Sequence, residues 1–240
     1  VTESRVADVR SRTEQLPPIN FADNNDIEYQ LMRSRISLAF DKSSAHAIQQ
    51  FSAELNSSDP IASIAARYGL ALAYAKAGQL ANAKQTLQPL LDAQPNRISY
   101  IVAYAEINSA DADQAMVEQQ LSKQLALNPD NYPLSMALVR SLSQQKKYPA
   151  AQTLLEKISQ QYPENPTVWF KLAETYGFNH NRVGTHRASA EYYILTGSMD
   201  QALKQLDYAL QKSDKSFQLT TKIEQRKADI RSYQEYLKQF

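Results

Sequence analysis

Apolar and polar residues alternate along this chain with the spacing of amphipathic helices. In residues 64–97 the apolar and small positions recur at three- and four-residue steps in two successive runs. The first run holds Leu70, Ala71 and Tyr74, and the second holds Ala83, Leu87 and Leu90. Residues 132–165 repeat the scheme with Leu138, Val139, Leu142, Ala151, Leu155 and Ile158. The pattern predicts pairs of packed helices, each pair joined by a tight turn such as the one expected at Gly78.

Three prolines give the length of the repeated unit. Pro95, Pro129 and Pro163 are equally spaced along the chain, and proline cannot continue the helix that it follows. Their spacing is the period of the tetratricopeptide repeat, about 34 residues, which also requires small and apolar residues at these points. Residues 98–131 are a weaker copy, because Asn108 replaces the usual aromatic residue. The W-x2-L-G-x2-Y opening of the next copy is matched by Trp169, Leu172, Ala173 and Tyr176.

The repeat pattern then changes phase. The next good match contains Ala190, Tyr193, Gly197, Ala202, Leu206 and Ala209, and it is offset by half a repeat from the expected position. Half a repeat is the length of one helix with its turn. We therefore predict that the helix over 180–196 is the second helix of one repeat and also the first helix of the next.

The two ends of the array are predicted from weaker patterns. Residues 26–57 hold a degenerate helix pair, and residues 216–239 form a long helix with Ile223, Ile230 and Leu237 seven residues apart. A single apolar stripe with a polar back suits the terminal helix of a solenoid. We predict an all-α tetratricopeptide-repeat solenoid of antiparallel helix pairs over 24–215, a C-terminal capping helix over 216–240, and a separate segment over 1–23.

Composition supports helices and narrows the chemistry. Five glycines in 240 residues are about 2%, against a usual level of about 7%, and we expect them to lie in turns. Cysteine is absent, which excludes disulfides and thiol nucleophiles, and the net charge of +1 gives no reason to expect nucleic acid as a partner. The chain opens on Val1 without a signal-like segment, so we expect a piece of a longer protein.

The first ten residues of the chain fit part of a known sequence motif. Glu3, Ser4, Arg5, Asp8 and Arg10 fit the second half of the motif H-P-x-x-E-S-R-x-x-D-x-R, just ahead of a tetratricopeptide array. Residues 83–91 are similar to a stretch A-x-K-T-L-Q-P-L-L. In both respects the chain resembles the C-terminal region of periplasmic zinc metallopeptidases of the β-barrel assembly-enhancing (BepA/YfgC-like) family. The resemblance implies that residues 1–23 are a helix and linker from an upstream protease domain.

The same resemblance implies a function without catalysis in this chain. HExxH and the His-Pro of the longer motif are absent from the sequence, so zinc is expected only in the missing protease domain. The resemblance implies a periplasmic location and three protein partners: the outer-membrane β-barrel assembly machinery, its client barrel proteins and the protein's own protease domain. A free-standing tetratricopeptide adaptor of a secretion or pilus-assembly system is the alternative.

Other candidate sites are weaker. His180 and His186 are six residues apart and do not share a helix face, and His46 is distant in sequence, so we expect no metal site. Asp111 and Asp113 are expected to cap a helix rather than bind a cation. Residues 212–238 hold seven basic and four acidic residues, which suits the solvated back of the last helix better than a lipid or nucleic-acid site.

Tetratricopeptide arrays bind partners along a groove lined by their first helices. The residues that we expect to face this groove are Tyr68, Lys76, Val102, Glu106, Met136, Arg140, Phe170 and Glu174. The lysine and asparagines that grip a C-terminal carboxylate in chaperone-binding arrays are missing, since Tyr68, Gly69 and Leu72 occupy the corresponding positions. A groove of mixed apolar and charged residues suits an extended or helical protein segment.

Overall fold

The computed structural model describes residues 27–110, 114–213 and 216–237. Every regular element in these ranges is helical: there are twelve α-helices and a 3-10 turn at Asn108–Ala110, and no strand. The prediction of an all-α fold is confirmed. The helices are α1 (Ile27–Phe40), α2 (Ser44–Glu54), α3 (Pro60–Lys76), α4 (Leu80–Ala93), α5 (Ile98–Ile107), α6 (Gln114–Leu127), α7 (Tyr132–Gln144), α8 (Tyr148–Gln161), α9 (Pro166–Phe178), α10 (Arg182–Leu195), α11 (Met199–Gln211) and α12 (Phe217–Leu237).

The helices begin at constant intervals equal to the predicted repeat. First helices α5, α7 and α9 start at 98, 132 and 166, and second helices α4, α6, α8 and α10 start at 80, 114, 148 and 182. The sequence sets these starts locally. Asn131 and Asn165 accept hydrogen bonds from backbone N–H groups of the first turns of α7 and α9, and each helix has proline in its first turn.

Two kinds of connection alternate along the repeats. In three of the pairs, one residue of the turn adopts positive φ: Gly78 (75°), Lys146 (57°) and His180 (58°). The next N–H then donates to the carbonyl five residues earlier, as in a Schellman turn. These bonds run from Gln79 to Tyr74, from Lys147 to Leu142 and from Asn181 to Tyr176, at 2.9 Å each. Between pairs, the segments around Pro95, Pro129 and Pro163 are closed by bonds that span only three residues, with N···O distances of 3.1–3.3 Å.

The connection after α10 is of the kind found within a pair. Gly197 has φ 78°, and the Ser198 N–H donates to the Tyr193 carbonyl at 2.8 Å. His180 stands one full repeat after Lys146, but Gly197 follows after only half a repeat. Helix α10 is thus preceded and followed by the turn that joins two helices of one repeat, which supports its predicted double role. The predicted helix and linker over 1–23 and the predicted helix cap over 111–113 lie outside the described residues.

The chain divides into two compact units, and the first comprises Val1–Thr86. Its described part is built on α1, α2 and α3. The core contains Leu31 and Leu38 from α1, Ala47 and Phe51 from α2, and a nearly continuous buried run in α3. Ser34 of α1 donates to the Ala65 carbonyl of α3 at 3.0 Å, so the polar group within this core is satisfied.

Glycine is not confined to turns, and that expectation was wrong. Gly69 lies in α3, Gly177 in α9 and Gly184 in α10. At Gly69 an added Cβ would lie 2.6 Å from the ring of Phe51, so the missing side chain lets α2 approach α3 closely. This requirement arises from packing between helices and has no local signature in the sequence.

The second unit, Leu87–Phe240, has its core in successive clusters between neighbouring helices. One cluster joins α5 to α8, with Ile101, Leu121 and Leu134 fully buried. The next joins α7 to α10 through Leu155, Val168, Leu172 and Ala188, and a third joins α10 to α12 through Ala190, Leu206, Ile223 and Ile230. Ala188 and Ala190 lie on different faces of α10, so this helix contributes to two cores.

Helix α12 occupies the segment for which a capping helix is predicted. Ile223 and Ile230 are buried as expected, whereas Tyr233 and Leu237 are exposed and the buried face ends one turn earlier. The buried Lys227 ammonium pairs with Asp207 of α11 at 2.8 Å, and this contact raises the pKa of Lys227. Part of the basic charge of this region therefore neutralises acids of the neighbouring helix.

Candidate functional site

The eight predicted groove residues divide between the two units. Tyr68 and Lys76 lie in the first unit, and the other six lie in the second. Tyr68 is fully buried, and its hydroxyl oxygen accepts a hydrogen bond from Arg35 Nε at 2.6 Å. Its expected exposure to a groove is wrong, because α1 supplies a polar partner that holds the phenol inside. Lys76 is exposed and donates to the Leu38 carbonyl near the end of α1 at 2.8 Å.

In the second unit, α5 is tied to α7 by charge. Glu106 and Arg140 form an ion pair with a Nη1···Oε1 distance of 3.5 Å, in which the arginine is the more exposed partner. Val102, one turn before Glu106, is half-buried and packs against the cluster that contains Ile101 and Leu134. Val102 therefore contributes mainly to the core, while Glu106 and Arg140 have a polar surface role.

The other predicted residues line two adjoining cavities, which we call the front groove. The cavity between α7 and α9 has a volume of about 400 Å³, and its lining includes Met136, Arg140, Tyr148, Lys171, Glu174 and Phe178. The cavity between α9 and α10 has a volume of about 500 Å³, and its lining includes Phe170, Ala173, Glu174, Phe178, Tyr192 and Tyr193. Glu174 and Phe178 line both cavities, so the two form one surface along α9.

Aromatic rings dominate the front groove. Tyr148 and Phe178 are stacked, with centroids 4.8 Å apart and an interplanar angle of 11°. Phe170 and Tyr192 meet at 5.5 Å and 55°. Phe170 is 43% exposed and Phe178 is 59% exposed, so the rings hold one another in place while they keep apolar surface in contact with water.

The charges of the groove are already neutralised. Lys171 pairs with Glu174 at 2.8 Å, and its ammonium lies 5.4 Å from the centre of the Phe170 ring. Glu106 pairs with Arg140 as described. Such exposed pairs contribute little affinity, but they favour one orientation of a partner. Within the described ranges, no three His, Asp or Glu side chains are placed to hold a metal ion.

Comparisons with known proteins agree with this geometry. A tetratricopeptide-repeat family model matches residues 107–174. The β-barrel assembly-enhancing protease of Yersinia pestis is 27% identical over 201 residues, covering 84% of this chain and 41% of that protein. The protein of the same name from Escherichia coli K12 is 27% identical over 209 residues, covering 86% and 42%. The chain thus contains a tetratricopeptide repeat and is similar over most of its length to part of these assembly-enhancing proteases. It spans about two fifths of the length of these relatives.

Solved structures support the fold alone. A tetratricopeptide repeat protein from Parabacteroides merdae superposes with a TM-score of 0.51 and 11% identity, over 85% of this chain and 86% of that one. A double mutant of MamA RS-1 superposes with a TM-score of 0.50 and 14% identity, over 71% and 95%. The array that resembles the assembly-enhancing proteases holds no described helix with the length and apolar character needed to cross a membrane.

Of the five aromatic residues that line the front groove, the sequence pattern predicted only Phe170. Phe178 continues the line of Phe170 and Glu174 at steps of four residues, so extending the stripe by one helical turn would have included it. Tyr192 and Tyr193 lie on α10, and the predicted double role of that helix gave a reason to search it for groove residues. Tyr148 had no such signal, because it lies at the start of a second helix.

Proposed function

We propose that this chain is the protein-binding region of a periplasmic metalloprotease with chaperone-like activity. In this proposal the array engages the outer-membrane β-barrel assembly machinery and its client barrel proteins. The resemblance to the assembly-enhancing proteases supports the choice of partner, and the tetratricopeptide fold supports a binding role without catalysis. Any peptidase chemistry, and the zinc for it, is assigned to a part of the longer protein that this sequence does not include.

The front groove is the observation on which the binding role rests. Its exposed rings offer the large, rigid apolar surface that supplies most of the energy at protein interfaces. The two cavities along α9 can take neighbouring side chains of one bound segment, with Phe178 between them. An extended or helical segment with two apolar anchors fits this arrangement, as in other grooves formed by helices.

Substitution of groove residues by glutamate tests the proposal. We expect the double variant Met136→Glu, Phe170→Glu to lose about 30-fold in affinity for purified assembly machinery or for an unfolded outer-membrane barrel protein, because two anchors are removed. Affinity is measured by surface plasmon resonance with the chain immobilised, and circular dichroism checks that the helices remain. Since Met136 also packs against the core, the variant Phe170→Glu, Phe178→Glu repeats the test with exposed residues only.

A matched control separates the groove from general surface effects. Met116 of α6 is 53% exposed and Phe217 of α12 is 83% exposed, and neither lines the groove. The variant Met116→Glu, Phe217→Glu adds the same charge and should bind like the unmodified chain. Equal losses in groove and control variants, or full binding by both groove variants, would contradict the proposal.

A further inference from the structure

A third cavity, which we call the rear pocket, lies away from the front groove. Its volume is about 560 Å³, and five successive helices, α8 to α12, contribute to its lining. No residue that lines the front groove lines this cavity. Its size is within the range of cavities that hold ligands in proteins.

Helix α10 separates the two regions. Thr185, Ser189, Tyr192 and Tyr193 line the front groove, whereas Gly184, Arg187, Ala188 and Glu191 line the rear pocket. At 100° per residue these two sets are centred about 135° apart around the helix. The rear set contains two very small residues, Gly184 and Ala188, and the lack of a side chain at Gly184 lets Tyr176 of α9 approach α10 closely.

The base of the rear pocket is apolar. Leu172, Ala188, Leu206 and Ile223 line it and are each at most 2% exposed. Trp169 is half-buried beside them, and its indole N–H donates to the Pro163 carbonyl at 2.8 Å, which fixes the ring. A ligand that occupies this base must carry apolar groups, because a purely polar one would leave these surfaces without favourable contacts.

Both acids of the pocket are already satisfied by neighbouring side chains. Glu191 receives a bidentate contact from Arg226, with an Nε···Oε1 distance of 2.9 Å, and this pairing raises the pKa of Arg226. Glu156 accepts hydrogen bonds from the Tyr176 hydroxyl at 2.8 Å and from Gln152 at 2.9 Å. Arg226 neutralises the charge of Glu191, whereas Glu156 keeps its negative charge because both of these partners are neutral.

Two cations of the lining are in the opposite situation. Arg187 of α10 and Lys222 of α12 are exposed, and neither makes a hydrogen bond or an ion pair with any residue in the described ranges. Arg226 is balanced by Glu191, so Glu156 is the one acid of the lining that offsets the charge of Arg187 and Lys222. The available charge is positive, and it lies beside an apolar base.

We propose that the rear pocket binds an acidic peptide segment in which carboxylates flank an aliphatic or aromatic side chain. The apolar side chain rests on the base near Trp169, and the carboxylates pair with Arg187 and Lys222. Tryptophan, tyrosine and arginine are the residues most enriched at protein-binding hot spots, and Trp169, Tyr176 and Arg187 all line this pocket. This site is separate from the front groove and does not depend on the function proposed for it.

Fluorescence of a single tryptophan can report binding at this site. Trp169 is the only tryptophan in the sequence, and it lines the rear pocket but not the front groove. Titration with a peptide of alternating glutamate and leucine should shift tryptophan emission to shorter wavelength, since the bound side chain displaces water from the indole. A matched peptide with glutamine in place of glutamate should bind at least about tenfold more weakly, because it offers no charge to the two cations.

Charge reversal identifies the residues that contact the peptide. We expect Arg187→Glu, Lys222→Glu to weaken peptide binding by about 30-fold or more, and to remove most of its dependence on salt. The control Lys123→Glu, Lys204→Glu changes the net charge equally at exposed positions outside the pocket and should lose at most about threefold. Equal losses in both variants would show that only net charge matters and would overturn the proposal, as would an absent emission change.

The front-groove variant also tests whether the acidic peptide binds in the rear pocket and not in the front groove. Phe170→Glu, Phe178→Glu should bind the acidic peptide with unchanged affinity, because neither residue lines the rear pocket. Loss of the emission change in that variant would place the peptide in the front groove and overturn the assignment. Failure of the chain to bind the assembly machinery would leave the peptide result unaffected.

Discussion

The front groove and the rear pocket share a helix but have opposite chemistry. In the front groove the aromatic side chains are exposed and the charges are paired with one another. In the rear pocket the apolar side chains are buried at the base, and two cations on the lining have no described partner. The contrast shows that apolar content alone does not describe a binding surface. What a partner meets depends on which groups remain unsatisfied once the chain has folded.

The packing of α9 against α10 also differs between the two regions, at a glycine on each side. On the rear side, the Gly184 N–H donates to the Asn181 side chain at 2.8 Å, and an added Cβ would lie 2.8 Å from Tyr176 Cγ. On the front side, an added Cβ at Gly177 would lie 3.8 Å from Thr185 Oγ1, at an ordinary contact distance. The two helices are therefore in tight contact around Gly184, whereas a small side chain has room at Gly177.

Alanine at these two glycines should have opposite effects on stability. We expect Gly184→Ala to lower the free energy of unfolding by about 2 kcal/mol, because the methyl group has no room beside Tyr176 and Asn181. Gly177→Ala should raise it by about 0.5 kcal/mol through the higher helix propensity of alanine. Urea denaturation of both variants measures the two effects, and similar midpoints would show that the two sides are packed alike.

The ion pairs of the two regions should also differ in strength. Replacing Glu191 by glutamine leaves the partly buried Arg226 without its bidentate partner, and we expect a loss of about 1 kcal/mol in the free energy of unfolding. Its front-groove counterpart, Glu174→Gln, breaks an exposed pair with Lys171 and should cost less than about 0.5 kcal/mol. The difference is measured by urea denaturation at low salt, where a larger loss at Glu174 would reverse the comparison.

A small effect is also expected at His180, which lies in the turn between α9 and α10 and lines neither region. His180 has φ 58°, a conformation that glycine adopts without strain. We expect His180→Gly to raise the free energy of unfolding by about 0.5 kcal/mol, since relief of strain exceeds the added entropy of the unfolded chain. Binding to both regions should be unchanged.

A glycine placed at an ordinary helix end provides the control for that variant. Lys212 ends α11 with φ −105°, so Lys212→Gly gains no relief of strain and should lower the thermal midpoint slightly. If Lys212→Gly and His180→Gly shift the midpoint in the same direction, the left-handed turn is not the source of the effect.

Local sequence patterns were enough to predict the helices and the positions at which each repeat begins. The start of each helix depends on a cap or a proline close by in sequence, as at Asn131 and Asn165, and the apolar spacing follows the helical period. Tyr68 shows the limit of this approach. Its position in the repeat indicates an outward side chain, but its burial depends on Arg35 of another helix, 33 residues away in the sequence.

The rear pocket could not be predicted from the sequence either, because it also depends on contacts between residues that are distant in the chain. Gly184 and Ala188 are ordinary small residues in a helix, and only the arrangement of five helices gives them a cavity to line. The partners of the two pocket acids are likewise distant in sequence, since Glu191 pairs with Arg226 and Glu156 accepts a hydrogen bond from Tyr176. These pairings join residues 35 and 20 positions apart, and no local pattern selects them.

The two similar turns around α10 imply that this array can change length by one helix. The segment over 181–197 is half a repeat long, and without it the left-handed residue His180 would be followed directly by Ser198, as Gly197 is now. Excision of that segment would join α9 to α11 through a turn of the same kind. The shortened chain would lose α10, which lines both binding regions, and would keep a left-handed residue at the turn that joins the two remaining helices.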